Sequence, residues 1–270
     1  MRVACLRVPI ESAELAADRL WSAGAHAVEE LDADVGHVEL RTSLGSEDDI
    51  ARRRLGDLPD GWVLRFVELD ERPLETWREF VRPIHVNQRL IISPAWCAPT
   101  AQPGVLEVAI EPGGSFGLGD HPTTRLSANA VDALIRPGDR VADIGCGSGV
   151  LAVIAALRGA AMVVAVDIAE PAREATVANA RRNGVEWLID ASTRPVHEVS
   201  GVFDLVVANI LAPTLVDLAQ ELRRLTAPGG RLVISGVLAE AHDHVLEALS
   251  PMRVAETVDL EGWAAVTLTH

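Results

Sequence analysis

The sequence predicts an α/β protein, a parallel sheet covered by helices on both faces with a small α+β unit ahead of it. Three observations carry this. From Leu126 onward, short apolar runs alternate with helical segments, the pattern of strands buried on both faces. A glycine-rich turn, Gly145 to Gly149, directly follows one of those runs. The first 70 residues read as strand, helix, strand, strand, helix, strand, the order of a ferredoxin-like unit.

In chain order, Arg2–Pro9 is expected to be the first strand, and Glu11–Ala23 a helix with Leu15, Ala16 and Leu20 on one face, ended by Gly24. Strands are expected around Ala27–Leu31 and His37–Leu44. Ser46, followed by Glu47, Asp48 and Asp49, suits a helix N-cap and the positive end of its dipole. That helix runs to about Leu58, and Trp62–Leu69 alternates as a strand. Residues 1–70 thus form one small domain and 71–84 a linker, with a short helix around Leu74–Val81 closed by Pro83. Residues 85–270 form the larger domain. It opens on a strand pair, Arg89–Ser93 and Val105–Ile110, and continues with strands at Arg140–Ile144, Met162–Asp167, Asp204–Asn209 and Arg231–Ser235. Helices are expected between these at about 149–158, 171–183 and 213–225, with Pro171 and Pro213 in first turns and Asn183-Gly184 at a helix end. Arg253–Leu260 and Trp263–Thr269, joined by Glu261-Gly262, read as a hairpin.

Composition narrows the chemistry. Hydrophobic residues are 49% and charged residues 23% of 270, enough apolar material for a core. No apolar run reaches the roughly 18–20 residues of a membrane span, and the N-terminus lacks signal-peptide character, so a cytoplasmic protein without membrane partners is expected. Cys5, Cys97 and Cys146 are far apart and odd in number, which implies neither disulfides nor paired zinc ligands. There is no HExxH, His242 and His244 face different ways on a helix, and no metal site is expected. The net charge of −15 argues against direct nucleic-acid binding and suits a basic protein partner, though it also suits plain solubility. All 24 cationic side chains are arginine and tyrosine is absent, which excludes Schiff-base catalysis by lysine and proton transfer by tyrosine.

The strongest motif is VADIGCGSGVLA at 141–152, which places Asp143 at a strand end and Gly145, Gly147 and Gly149 in the turn beyond it. A dinucleotide fingerprint would need glycine at 150, where Val150 stands. An acid beneath the turn suits a cationic sulfonium with an amino-acid tail better than a pyrophosphate. Asp167 ends the next strand, 22 positions after Gly145, where a carboxylate accepts hydrogen bonds from both ribose hydroxyls. Asn209 ends the strand of DLVVANILA on the same edge. It reads either as a turn former or as a group able to hold a target amine. In FGLGDHPTTRL, residues 116–126, Thr123 or Thr124 reads as a cap or a ligand contact, and His121 as structural or as a general base.

The succession FGLGDHPTT, DIGCGSGVLA, AVDI, DLVVANILA and RLVISGVL resembles the PrmA family over roughly residues 73–270. That resemblance implies a Rossmann-like class I methyltransferase using S-adenosyl-L-methionine to methylate amino groups, lysine side chain or N-terminus, of a large-subunit ribosomal protein. It implies that Thr124, Gly145, Asp167 and Asn209 contact the cofactor, and that Asn209 stands where related amino-methylating enzymes open an NPPY-type motif; Asp143 at the strand end and Gly147 in the turn are read as cofactor-binding from the motif itself. The small N-terminal domain would recognise the protein substrate. Leu118 departs from the family's usual threonine. Two other readings stay open at this stage: a small-molecule methyltransferase with the N-terminal unit as lid, and a non-catalytic module binding the methyl donor. A dehydrogenase is disfavoured by Val150.

Overall fold

The computed structural model describes residues 2–23, 25, 28–34, 36–44, 48–56, 58–59, 61–68, 82–99, 102–111 and 119–270. The chain divides into two compact units, Met1–Val81 and Arg82–His270.

In the first unit, strands β1 (Arg2–Pro9), β2 (Glu29–Asp32), β3 (His37–Thr42) and β4 (Val63–Glu68) form an antiparallel sheet in the order β2-β3-β1-β4. Helices α1 (Ala13–Ser22) and α2 (Asp48–Leu55) complete the ferredoxin-like order. Period-two alternation sends Ala4, Leu6, Val8, Val38 and Leu40 into a core with Ala16, Leu20 and Leu55. The neighbours in sequence, Arg7, Glu39, Arg41 and Arg65, therefore share the other face. There Glu39 accepts from Arg41 Nε at 2.8 Å and Arg65 Nη2 at 2.5 Å. Burial pushes the Glu39 acid up, and the two guanidinium bonds overcome it, so its pKa lies below the ordinary carboxylate value. The expected cap at Ser46 and the linker helix at Leu74–Val81 lie outside the described residues.

The second unit holds two sheets. β5 (Ile84–Asn87), β6 (Leu90–Pro94) and β7 (Leu106–Ile110) form a three-stranded sheet, with β6 parallel to β7 and antiparallel to β5. The expected strand pair is present, and β5 is an addition to it that begins on a residue read as linker. The main sheet comprises β8 (Arg140–Ile144), β9 (Met162–Val166), β10 (Ile189–Ser192), β11 (Phe203–Asn209), β12 (Thr226–Leu238), β13 (Arg253–Leu260) and β14 (Trp263–Thr269). Its order is β10-β9-β8-β11-β12-β14-β13, five parallel strands followed by the antiparallel hairpin. Around it lie α3 (Pro122–Leu134), α4 (Val150–Leu157), α5 (Glu170–Arg182), α6 (Ala212–Asp217), α7 (Ala219–Leu225) and α8 (Asp243–Ala248). The single helix expected over 213–225 is two helices, broken at Leu218, where φ −90° and ψ 1° interrupt the α-helical run. Two apolar clusters cover the sheet's faces, one around Val153, Ile154 and Val163, the other around Phe203, Leu215 and Leu222.

Two side-chain networks tie the smaller sheet to the helices. Asp132, its carboxylate fully buried, takes Arg158 on one oxygen and both Arg89 and Asn87 on the other. At the C-cap of α5, Asn183 accepts from Ala109 N at 3.0 Å and donates to Ala109 O at 2.8 Å. One turn earlier, Asn179 repeats this with Glu111 N and O at 3.0 and 2.8 Å. Two amides thus stand in for a strand along the outer edge of β7.

Candidate cofactor and amine site

In a sheet of this order, β8 and β11 are neighbours from which the chain has wound in opposite directions, so their carboxyl ends open a crevice. Register sets what faces it. Val207 pairs with Asp143 and Ala208 with Ile144, which brings Asn209 level with Gly145; on the other side Asn209 pairs with Ser235.

The glycine turn is held from below and from the side. Gly145 and Cys146 donate their N–H groups to Val166 O at 2.8 and 3.1 Å, binding the turn to β9. Gly147 N donates to Asp167 Oδ2 at 3.0 Å, and Ala169 N to Asp167 Oδ1 at 3.0 Å. Each carboxylate oxygen keeps a lone pair for an outside donor, which is what a ribose diol requires. Thr176 Oγ1 donates to Gly147 O at 3.1 Å, and Asn179 Nδ2 to Ser148 O at 2.9 Å. These two supporting residues went unread in the sequence. The available signal was a pair of polar residues, three apart, on the otherwise apolar face of a helix.

Asp143 is 1% exposed. Its Oδ2 accepts from Ala152 N at 3.0 Å, while Oδ1 finds no hydrogen-bond partner among the described residues. Burial pushes its pKa up; the Ala152 N–H opposes this, the Asp167 charge adds to it, and the acid comes to about 7. A buried acid with an open oxygen is costly unless a cation or donor completes it. Burial likewise pushes the neighbouring Cys146 thiol up, so it is no nucleophile.

Thr124 is 1% exposed, on a helix packed over β11, β12 and β14, and its Oγ1 also lacks a partner among the described residues. Neither Thr123 nor Thr124 is the cap of that helix. His121 is: Thr123 N donates to its Nδ1 at 3.3 Å. The His121 ring stands edge-on to Trp263, with centroids 5.0 Å apart. Asp120 is exposed. Among the described residues, no group of three His, Cys, Asp or Glu side chains could hold a metal. No helix there is long and apolar enough to cross a membrane.

Strand order and crevice are those of a Rossmann-like sheet that binds its ligand at the carboxyl edge, and the match to a methyltransferase family makes this a class I methyltransferase, the class that takes its methyl group from S-adenosylmethionine. The open Asp143 and Thr124 oxygens and the free lone pairs of Asp167 fit a ligand with an ammonium and a ribose. Comparison with known proteins narrows the class. The family model described as ribosomal protein L11 methyltransferase (PrmA) matches residues 65–270, and the chain belongs to that family. Curated relatives named ribosomal protein L11 methyltransferase include one from Symbiobacterium thermophilum, 39% identical over 86% of this chain and 76% of its own length. Another, from Pseudomonas aeruginosa, is 37% identical over 96% of this chain and 85% of its own. Among solved structures, a ribosomal protein L11 methylase from Lactobacillus delbrueckii subsp. bulgaricus superposes with a TM-score of 0.66 at 29% identity, covering 70% of this chain and all of that one.

Proposed function

We propose that the protein transfers methyl groups from S-adenosylmethionine to amino groups of ribosomal protein L11, on lysine side chains or the N-terminus, and that Asn209 holds the amine. The observation that carries this reading is the register of β11 on β8, Ala208 against Ile144, which ends both strands together with Asn209 and Gly145 next in each chain. Thr124, Asp143, Gly145, Gly147 and Asp167 form the cofactor cradle, with Asn209 at its open side. The bound cofactor supplies an electrophilic methyl on sulfur and a thioether leaving group. Asn209's side-chain carbonyl accepts an N–H of the neutral amine, which turns the lone pair towards the methyl. Presenting a lysine of pKa about 10.4 as the free base at pH 7 costs roughly 4–5 kcal/mol. Holding the reactants in place contributes about 7–11 kcal/mol, so positioning outweighs deprotonation and the proton is left to water. The charge of −15 complements a basic ribosomal protein. The first unit, which the 96% match to the Pseudomonas relative includes, is assigned to recognition of that protein.

Labelled donor incubated with purified L11 and with large subunits lacking the modification should transfer label to L11. Label appearing only in small molecules would overturn the reading. In Asp167→Ala, loss of a charged acceptor for two hydroxyls is expected to raise the donor's Kd by about 10²-fold, with turnover at saturating donor within about threefold of the parent. Equal donor affinity, measured by calorimetry, would remove Asp167 from the cradle.

A further inference from the structure

We propose that Ile210 is a positioning residue, clamped between a glycine just beyond β8 and a glycine on β12, and that it fixes how Asn209 reaches the amine. The inference rests on the role given to Asn209 above.

Ile210 is the first residue beyond β11, and it meets a left-handed glycine on either side. On the β8 side stands Gly145, φ +76°; a Cβ there would lie 2.2 Å from Ile210 Cγ2. On the β12 side stands Gly236, φ +84°, where the register between Ser235 and Val237 shifts. A Cβ on Gly236 would lie 2.3 Å from Ile210 O and 2.8 Å from its carbonyl carbon. The Ile210 methyl therefore fills the space over the cofactor turn, and its backbone fills the notch made by the bulge. Ser235 Oγ donates to Ala264 O at 2.8 Å, which ties the rim of that notch to β14. The peptide after Asn209 is thus held from two strands at once, which sets the backbone from which the asparagine side chain projects.

The contact with Gly145 comes through a branch on Cβ, which sets a shape requirement. Valine keeps that methyl, whereas leucine and alanine lack it. Ile210→Val is expected to keep kcat within about twofold of the parent. Ile210→Leu and Ile210→Ala are expected to lose at least about tenfold in kcat, with donor Kd within about threefold and a smaller change in KM for L11, since misplacement of a reacting group by about an ångström costs up to about 10²-fold. Gly236→Ala should shift in the same direction; where it fails to fold, the Ile210 series decides by itself. Leucine as active as valine, or losses that follow donor affinity, would overturn the inference. Should the parent chain bind no donor, or Asn209→Ala turn over normally, the reading of the site falls first and this inference with it. Equal leucine and valine activities in a parent that binds donor and needs Asn209 sink the inference alone.

Discussion

Asn209→Ala is expected to lower kcat for methyl transfer to L11 by about 10²–10³-fold, while affinity for S-adenosylmethionine stays within about threefold. The split follows from position. The carboxylates and glycines proposed to face the cofactor lie on β8, in the turn that follows it and just beyond β9, and the hydrogen bonds described for them do not involve residue 209. Asn209 sits at the end of β11, half-buried, paired with Ser235 on one side and level with Gly145 on the other. Truncation there leaves the strand intact and removes the side-chain amide proposed to orient the amine. Single-turnover rates at saturating donor, set beside calorimetric Kd values, check this. Unchanged turnover would take Asn209 out of the chemistry.

Asp143→Asn is expected to raise the stability of the ligand-free protein at pH 8 and to weaken donor binding at that pH. Folding raises the acid from an ordinary 3.8 to about 7. Folding thus favours the protonated form, whose stabilising contribution is complete below about pH 4 and is lost as pH rises through about 7. A shift of about three units corresponds to about 4 kcal/mol at most, reached above pH 7. Asparagine removes the charge yet can still accept the Ala152 N–H, so the gain should be near zero at pH 4 and grow to its full size at pH 8. If Asp143 faces the donor's cationic tail as proposed, it is ionised more often in the parent as pH rises, and donor affinity should climb through pH 7. Melting curves at pH 5 and 8, with and without donor, separate the two effects. A variant that melts below the parent at pH 8 without ligand would contradict the buried-acid reading.

The central strands of the main sheet were legible because they are short apolar runs, although β12, Thr226–Leu238, extends beyond its expected Arg231–Ser235 at both ends. β8 matches its expected limits to the residue, as do β13 and β14, whose hairpin turns on Glu261 and Gly262, both with positive φ. β10 was missed because Ile189–Ser192 is four residues long and half polar, with little apolar signal on a sheet edge. β5 was missed for a like reason, and its pairing depends on β6, which sequence periodicity does not report. The cap on α3 was misread between two threonines because a histidine nitrogen is an uncommon acceptor at that position. In the site, the glycine turn and the two strand-end acids were plain from residue type and spacing. The clamp on Ile210 was not, because Gly145 and Gly236 lie far apart in the chain and meet only through strand order.

The two asparagines along β7 also bear on how the molecule behaves in a crowded solution. An unpaired strand edge is a template for a strand of another copy, and sheets that grow this way become fibres. Here Ala109 and Glu111 already have their N–H and C=O groups occupied by side-chain amides. An incoming backbone would have to strip four hydrogen bonds to pair at these two residues, so side-chain amides blunt this border where a charge or a proline is the commoner guard.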